Sequence, residues 1–468
     1  MKKLLTFALL LNFVFLFSQT LVTSCSIDLK KSKPFQQLLN VENPKTKEVF
    51  AFISDKENTT VLKYNTALFL TDSLKMRRPN EIYKWIAGYT FEENGDPILY
   101  WSTADYKKGL AVQYQLNAKT ISIFPYELPL QNEVILNTFQ TNNSFYMLSQ
   151  KVAEEKLVLH IFKNGKKSEK ILDFSSFQFY NKANEPLKLN EILEVFPMEQ
   201  LETKQFNPLF QGAKKTKLYV EETNLILTFD HNPKQTQVFD IDLSTFEIKE
   251  KKLPQLTLKK QNGLANSYFH ENKIYQLNVN DEEMAFSIKD YTTTNTITSY
   301  SVTKNDSITF KNSPLYLQSD NQKPQGLSST KKFFQRLLVL NVGISVYKTK
   351  KNILITLGGT NFGDQNMIDL SVSFNAALQG DYSNLAQDFA NNLRPINAYF
   401  ECIFDKKLNP TSSIQEPLAI DYISGFMNEH KEVTLQNTFK YNDYYLFGYY
   451  DSKTHQYVLR KFMDGFQY

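Results

Sequence analysis

The chain has 468 residues, of which 42% are hydrophobic and 14% aromatic, which is enough apolar material for a large core. The formal net charge is only +4 and both signs are interspersed, so nucleic acid is excluded from the expected partners. The two cysteines, Cys25 and Cys402, exclude a disulfide framework and leave one bond between them as the remaining pairing.

The N-terminus has the order of a Sec-type export signal. Lys2 and Lys3 precede an apolar run over residues 4–17, and small and polar residues follow it. The run is shorter than the roughly 20 apolar residues that a membrane-spanning helix needs. The sequence therefore predicts export to the periplasm, the outer membrane or the medium, with residues 1–19 as the signal peptide.

Two processing sites compete in this region. The ending Phe17-Ser18-Gln19 resembles signal peptides of Bacteroidota, whose mature chains often begin at or near such a glutamine. Val22-Thr23-Ser24-Cys25 resembles a bacterial lipobox, in which case the signal would cover residues 1–24 and Cys25 would be the lipidation site. Lipidation would turn a soluble protein into an anchored lipoprotein without changing its fold.

Turn signals between pairs of apolar stretches recur along the rest of the chain. They lie at positions 47, 94, 143, 224, 272, 352 and 442, and most are asparagine, which tolerates a positive φ in a tight turn. The most similar copies cover residues 137–146, 266–275 and 437–445. A second strand, a polar loop and another hairpin follow most of these turns, so the repeating unit has four antiparallel strands.

Four-stranded repeats of about 40–50 residues are typical of β-propeller blades, and the chain resembles β-propeller repeat proteins in this architecture. The predicted fold is all-β: a propeller of about seven blades over residues 41–468, with six to eight blades allowed. Three gaps between turns are too long for one blade, which places insertions with short helices near residues 175–215, 303–332 and 359–396. A β-sandwich with a second domain is the structural alternative.

The seventh blade is one strand short, because only residues 443–468 follow its turn. A ring that stays open has an unpaired strand edge. Residues 20–40 are the expected source of the missing strand, and we expect them to pair with the segment from Tyr457 to Phe462.

No motif for catalysis, cofactor binding or metal binding rises above chance. The five histidines lack metal-ligand spacing, and neither a phosphate-binding loop nor a nucleophile elbow is present. Asp240 and Asp242 share one face of a strand, which suits Ca²⁺ or acid–base chemistry but is also routine in a half-solvated strand. We therefore predict no catalytic, cofactor or metal residue.

The insertions are the expected carriers of function, because loops on a rigid scaffold hold many binding sites. Leu385, Phe389 and Leu393 recur at helical spacing, Ser383 or Asn384 precedes them as a cap and Pro395 follows. This pattern predicts an amphipathic helix whose apolar stripe either covers the sheet or faces a partner.

Together these features predict an exported, non-catalytic propeller that acts as a binding or scaffold module of the cell envelope. The expected partner is a protein, a peptide or a glycan, the only expected membrane contact is a lipid on Cys25, and the expected state is a monomer. A hydrolase or lyase acting on extracellular polysaccharide is the alternative, and it would gather carboxylates at the central channel.

Overall fold

The computed structural model describes residues 19–30, 33–130, 132–260, 263–319, 322–361 and 396–465. Its strands form seven sheets of four or five strands and one small two-stranded sheet. The seven larger sheets are the blades of a propeller, numbered here along the chain, so the predicted fold class is confirmed. The first strand, β1 Gln19–Ser26, belongs to blade 7 and is described with it.

Blades 1 to 3 are regular meanders whose strands run in chain order from the inner to the outer edge. Blade 1 contains β2 Gln37–Glu42, β3 Val49–Ser54, β4 Asn58–Tyr64 and β5 Leu70–Arg77. Blade 2 contains β6 Tyr83–Phe91, β7 Pro97–Thr103, β8 Lys108–Gln115 and β9 Thr120–Glu127. Blade 3 contains β10 Glu133–Thr141, β11 Ser144–Lys151, β12 Lys156–Lys163 and β13 Lys166–Asp173.

Blade 4 has an extra inner strand, and blade 5 is regular. The connection from blade 3 holds β14 Phe179–Tyr180, β15 Pro186–Leu187 and helix α1 Leu189–Val195. Blade 4 contains β16 Met198–Leu201, helix α2 Leu209–Gly212, β17 Thr216–Val220, β18 Asn224–Phe229, β19 Gln235–Asp242 and β20 Ile248–Pro254. Blade 5 contains β21 Leu264–His270, β22 Lys273–Val279, β23 Glu283–Asp290 and β24 Thr296–Thr303.

Blade 6 takes its outer strands from the chain that precedes its inner strand. The elements are β25 Tyr316–Ser319, β26 Gln325–Gly326, helix α3 Thr330–Leu337, β27 Asn341–Lys348, β28 Ile353–Asn361 and β29 Ile396–Phe404. Because β25 pairs with β29, the stretch predicted as an insertion at 303–332 contains the outer strand of this blade. Most of the predicted insertion at 359–396 lies outside the described residues.

Blade 7 joins the two ends of the described chain. Helix α4 Ala419–Glu429 leads into β30 Val433–Tyr441, β31 Tyr444–Asp451 and β32 Gln456–Phe462. The outer strand is β1, which pairs antiparallel with β32 from Gln19↔Phe462 to Ser26↔Gln456. The closing strand is Gln19–Ser26, at the start of the expected segment 20–40. The strand Gln37–Glu42, at the other end of that segment, is the inner strand of blade 1.

Each turn position predicted from the sequence lies in or beside a hairpin of a different blade, and all seven blades are represented. In blades 4 and 6 these hairpins join β17 to β18 and β27 to β28. Several of these turns contain a positive φ: 61° at Lys47, 52° at Asn143, 58° at Asn272 and 55° at Asn442. Asparagine accepts this left-handed conformation at low cost, which explains why it marks the repeat.

Apolar clusters lie between neighbouring blades all the way around the ring. Ile53 and Tyr64 of blade 1, for example, pack in one cluster with Leu446 and Leu459 of blade 7. Similar clusters join blades 1 and 2, 2 and 3, 3 and 4, 4 to 6, and 6 and 7. Because blade 1 is buried on both faces, its second strand β3 is an apolar run from Val49 to Ile53, and all six of its residues are buried.

Amide side chains join the inner strands of adjacent blades. The Asn437 side chain accepts a hydrogen bond from the Asn40 N–H at 2.8 Å, linking blade 7 to blade 1. Asn266 of blade 5 donates to the Val342 carbonyl of blade 6 at 2.7 Å. Asn137 holds the corresponding place in blade 3. These are the first asparagines of the three most similar repeats, and all three are buried.

Candidate functional site

The central channel holds a segment of the chain itself, residues 198–215, which we call the plug. Strand β16 pairs in parallel with β17, so it runs down the channel side of blade 4. The chain turns through residues 202–208 and returns along blade 6 as α2. There Gly212 lies so close to the Ile344 carbonyl oxygen that an added Cβ would be 1.9 Å from it. The plug therefore needs glycine at this crossing.

Asn207 fastens the turn of the plug. Its side-chain oxygen accepts from the Glu202 N–H at 2.9 Å, and its amide group donates to the Glu202 carbonyl at 2.7 Å and to the Tyr268 hydroxyl at 2.9 Å. The Ser345 hydroxyl donates to the Asn207 carbonyl. One buried side chain thus ties the turn to itself and to blade 5, while its carbonyl ties it to blade 6.

Glu202 lies at the tip of the plug. Its side chain is open to solvent although protein surrounds it, as expected for a group inside a channel. Burial raises the pKa of the Glu202 carboxyl, and hydrogen bonds from Gln200 and Gln205 oppose that rise. Burial is the largest cause that raises the pKa values of Tyr89, Tyr268 and Tyr445, which belong to blades 2, 5 and 7. The negative charge of Glu202 raises these three pKa values further.

A buried ion pair lies where the plug, blade 4 and blade 5 meet. The Lys217 Nζ is 2.9 Å from the Asp230 Oδ2 and donates to the Asn266 Oδ1 at 2.6 Å. Asp230 also accepts from the Ser267 N–H at 3.0 Å and from the Thr236 hydroxyl at 2.7 Å. Burial acts to raise the Asp230 pKa, but the charges of Lys217 and Lys215 and the hydrogen bonds from Lys217 and Thr236 hold it below its usual value. Burial also lowers the Lys217 pKa.

We call the end of the ring where the inner strands finish the lower face and the opposite end the upper face. Around the lower mouth of the channel, several carboxylates pair with lysines. Such ion pairs are Lys348–Glu271 at 2.7 Å, Lys351–Glu416 at 2.6 Å, Lys204–Glu222 at 3.6 Å, Lys47–Glu42 at 2.7 Å and Lys350–Asp443. A small pocket beside Glu416 and Asp464 also opens on this side. In the part of the chain that the structure describes, no three His, Cys, Asp or Glu residues are grouped so that they could hold a metal ion.

A bulge at the upper end of blade 2 presents Trp85 to solvent. The register of β6 against β7 shifts between Tyr83 and Trp85. The buried Arg78 guanidinium donates to the Tyr83 carbonyl at 2.9 Å, and Gln37 accepts from the Ile86 N–H at 2.8 Å. Buried polar groups therefore fix a bulge that leaves the Trp85 side chain 39% exposed.

Trp85 belongs to a set of exposed apolar side chains on the upper face, which we call the rim. Its members from blade 2, blade 3 and the connection to blade 4 are Ile82, Trp85, Val134, Val152 and Val195. The loop that carries Val152 is tied to both neighbours, since the Val152 N–H donates to the Asn132 carbonyl at 2.7 Å and the Leu189 N–H donates to Glu155 at 2.7 Å. The rim is thus carried by connected elements.

Sequence reasoning missed the rim and the plug. The apolar alternation of residues 186–212 was visible, but a parallel strand inside the channel has no local signal of its own. For the rim, a tryptophan near the start of the inner strand β6 was the signal that could have been followed.

The residues singled out from the sequence are scattered. Cys25 is in β1, and both it and the buried Cys402 are free thiols in different apolar clusters. The predicted helix with Leu385, Phe389 and Leu393 lies outside the described residues. Asp240 accepts from the Tyr291 hydroxyl, and Asp242 accepts from the Ser244 N–H in a turn.

Comparison with known proteins places the chain only at the level of architecture. No family model and no curated protein matches it. Similar solved structures include the WD40 domain of SCAP from fission yeast (9% identity, TM-score 0.32, covering 92% of this chain and 84% of that one) and the β-propeller domain of the Trilobed protease from Pyrococcus furiosus (8% identity, TM-score 0.31, covering 92% and 94%). Dihydro-heme d1 dehydrogenase NirN is a third similar structure, with 9% identity and a TM-score of 0.28. The match covers 64% of this chain and 50% of the NirN chain. These likenesses carry no argument about function.

Proposed function

We propose that the protein is an exported, non-catalytic propeller of the cell envelope that binds a protein partner through the rim. The observation that carries this proposal is the exposed Trp85, held by a bulge that buried Arg78 and Gln37 fix in place. Exposed apolar residues grouped on one face are typical of interaction surfaces, and tryptophan is the residue type most enriched among interface hot spots.

The chemistry of the rim favours a protein or peptide partner over a glycan. Four of its five side chains are aliphatic and carry no donor or acceptor for sugar hydroxyls: Ile82, Val134, Val152 and Val195. Such side chains gain free energy only by burying apolar area of the partner. An apolar segment of a polypeptide, lying across blades 2 and 3, fits this requirement.

The plug also supports binding at the surface. It occupies the channel beside blades 4 to 6, where a propeller enzyme would hold its substrate. Glu271, Glu222 and Glu42, at the lower mouth, each form an ion pair with a lysine. This arrangement favours a binding role over the hydrolase or lyase alternative.

Peptide selection tests the proposal. A phage-displayed peptide library is selected on the wild-type protein, and the affinity of the enriched peptides is measured by calorimetry. Apolar peptides should bind, and Trp85→Ala or Val134→Asp should weaken binding at least about tenfold, as loss of a hot spot does. Ile171→Asp is the matched control, because Ile171 is similarly exposed (52%, against 55% for Val134) on the outer strand of blade 3.

Peptides that bind all three variants equally would place the binding surface elsewhere. Binding of glycans and not peptides on an array, or cleavage of a polysaccharide, would contradict the protein-binding role.

A further inference from the structure

We infer that the mature chain keeps the strand that closes the ring, so that it begins at Gln19 or Thr20 and Cys25 is not lipidated, because lipoprotein processing would remove that strand. The inference rests on the export that is part of the proposed function. It concerns which of the two processing sites in the N-terminal region is used.

Strand β1 begins at Gln19 and runs through Cys25 to Ser26. Cleavage in front of Cys25 would remove Gln19–Ser24 and with it the pairs from Gln19↔Phe462 to Ser24↔Val458. Only Cys25↔Tyr457 and Ser26↔Gln456 would remain. Blade 7 would then have three strands, and β32 would present an unpaired edge.

The surroundings of Cys25 also disagree with a lipid. Its side chain is partly buried and packs against the apolar cluster between blades 7 and 1. Tyr64 of blade 1 is a member of that cluster. A diacylglyceryl group on the Cys25 sulfur would have to fit between these two blades, whose interface is close-packed.

The processing step that follows is hydrolysis of the peptide bond that precedes Gln19 or Thr20. A signal peptidase adds water across this bond, which leaves a carboxylate on the released signal peptide and a free amino group on the first residue of the mature chain. No lipid donor takes part. Strand β1 stays attached to the chain.

The test expresses the full chain, with its own signal, in a Bacteroidota host and maps the N-terminal peptide of the product by mass spectrometry. We expect Gln19 as the first residue. A start at Thr20 also supports the inference, because it keeps the closing strand. The protein should partition into the aqueous phase of a detergent extraction, and Cys25→Ser should change neither its amount nor its partitioning.

A product that begins at a lipid-bearing Cys25 would overturn the inference and leave export intact. A product that still carries Met1 and stays in the cytoplasm would overturn both.

A second measurement does not depend on export. Two chains are made without the signal, one starting at Gln19 and one at Cys25, and their thermal unfolding is compared. The chain that starts at Gln19 should melt several degrees higher. Equal melting temperatures would show that β1 does not close the ring and would overturn the inference.

Discussion

Lys217 and Asp230 form an ion pair in which both side chains are almost fully shielded from water, 0% and 1% exposed. Burying two charges is costly, and the pair persists because Asn266, Ser267 and Thr236 satisfy the remaining donors and acceptors. The pair lies between blades 4 and 5. It therefore fixes the position of one blade against the next more than it adds to net stability.

Replacing Lys217 with methionine should leave the Asp230 charge buried and uncompensated. We expect the free energy of unfolding to fall by about 3–5 kcal/mol, measured by urea denaturation. Lys249→Met is the control, because the exposed Lys249–Glu247 pair is worth less than about 1 kcal/mol. A Lys217→Met cost no larger than that of the control would show that Asp230 finds other compensation.

His270 makes stability depend on pH. Burial lowers its pKa from the ordinary 6.5 to about 4, so the folded protein holds the ring neutral where the unfolded chain protonates it. Stability from this group is complete above pH 6.5 and is lost as the pH falls towards 4. Between pH 7 and pH 4.5, wild type should lose about 2–3 kcal/mol more than His270→Gln. Parallel losses in urea titrations of the two proteins would contradict this.

At the scale of elements, local signals in the sequence were enough for the hairpins. Asn143, Asn272 and Asn442 adopt the positive φ that their turns need. The spacing of these three and of the other four turn positions indicated about seven blades. The conformation of these turns depends on neighbours in the chain, which is why a single sequence reveals them.

The remaining elements depend on partners distant in sequence. The short strand β16 is defined by its parallel pairing with β17, and β25 by its pairing with β29 across the whole of blade 6. The exposure of Trp85 follows from a bulge that Arg78 and Gln37 hold from two other elements. None of these three contacts leaves a periodic pattern in the sequence, so the plug and the rim appear only in the folded molecule.

Asn207 should decide whether the plug stays docked. With Asn207→Ala, the Glu202 N–H and the Tyr268 hydroxyl lose their partner, at a cost of about 1–3 kcal/mol. Amide hydrogen exchange over residues 199–215 should accelerate while the outer strands stay protected. Asn409→Ala, which removes an exposed asparagine bonded only to nearby Asp405, should leave exchange in the plug unchanged. Uniform acceleration across all blades would contradict a local role.

At the scale of the whole molecule, the ring is closed by strands from opposite ends of the described chain. Strand β1 covers the edge of β32 and gives blade 7 its fourth strand, and an apolar cluster joins this blade to blade 1. No helix among the described residues is long and apolar enough to cross a membrane.

An engineered disulfide tests the register of closure. Thr20 and Lys461 are partners in the β1–β32 ladder, at a spacing that a disulfide can bridge. In a Cys25→Ser background, Thr20→Cys with Lys461→Cys should oxidise readily and raise the free energy of unfolding by about 2–4 kcal/mol. Thr20→Cys with Val458→Cys is out of register and should stay reduced. Equal oxidation of the two pairs would contradict the closure described.

The central functional claim is that partners meet the upper face at the rim and not the channel mouth below. Hydrogen exchange of the wild-type protein, with and without a selected apolar peptide, tests this directly. If the peptide binds at the rim, we expect slower exchange over residues 82–86, 132–136, 150–153 and 193–197 when it is bound. We expect no change at residues 202–206, 221–223 and 271–272, which lie at the lower mouth. Protection confined to the second group would contradict it.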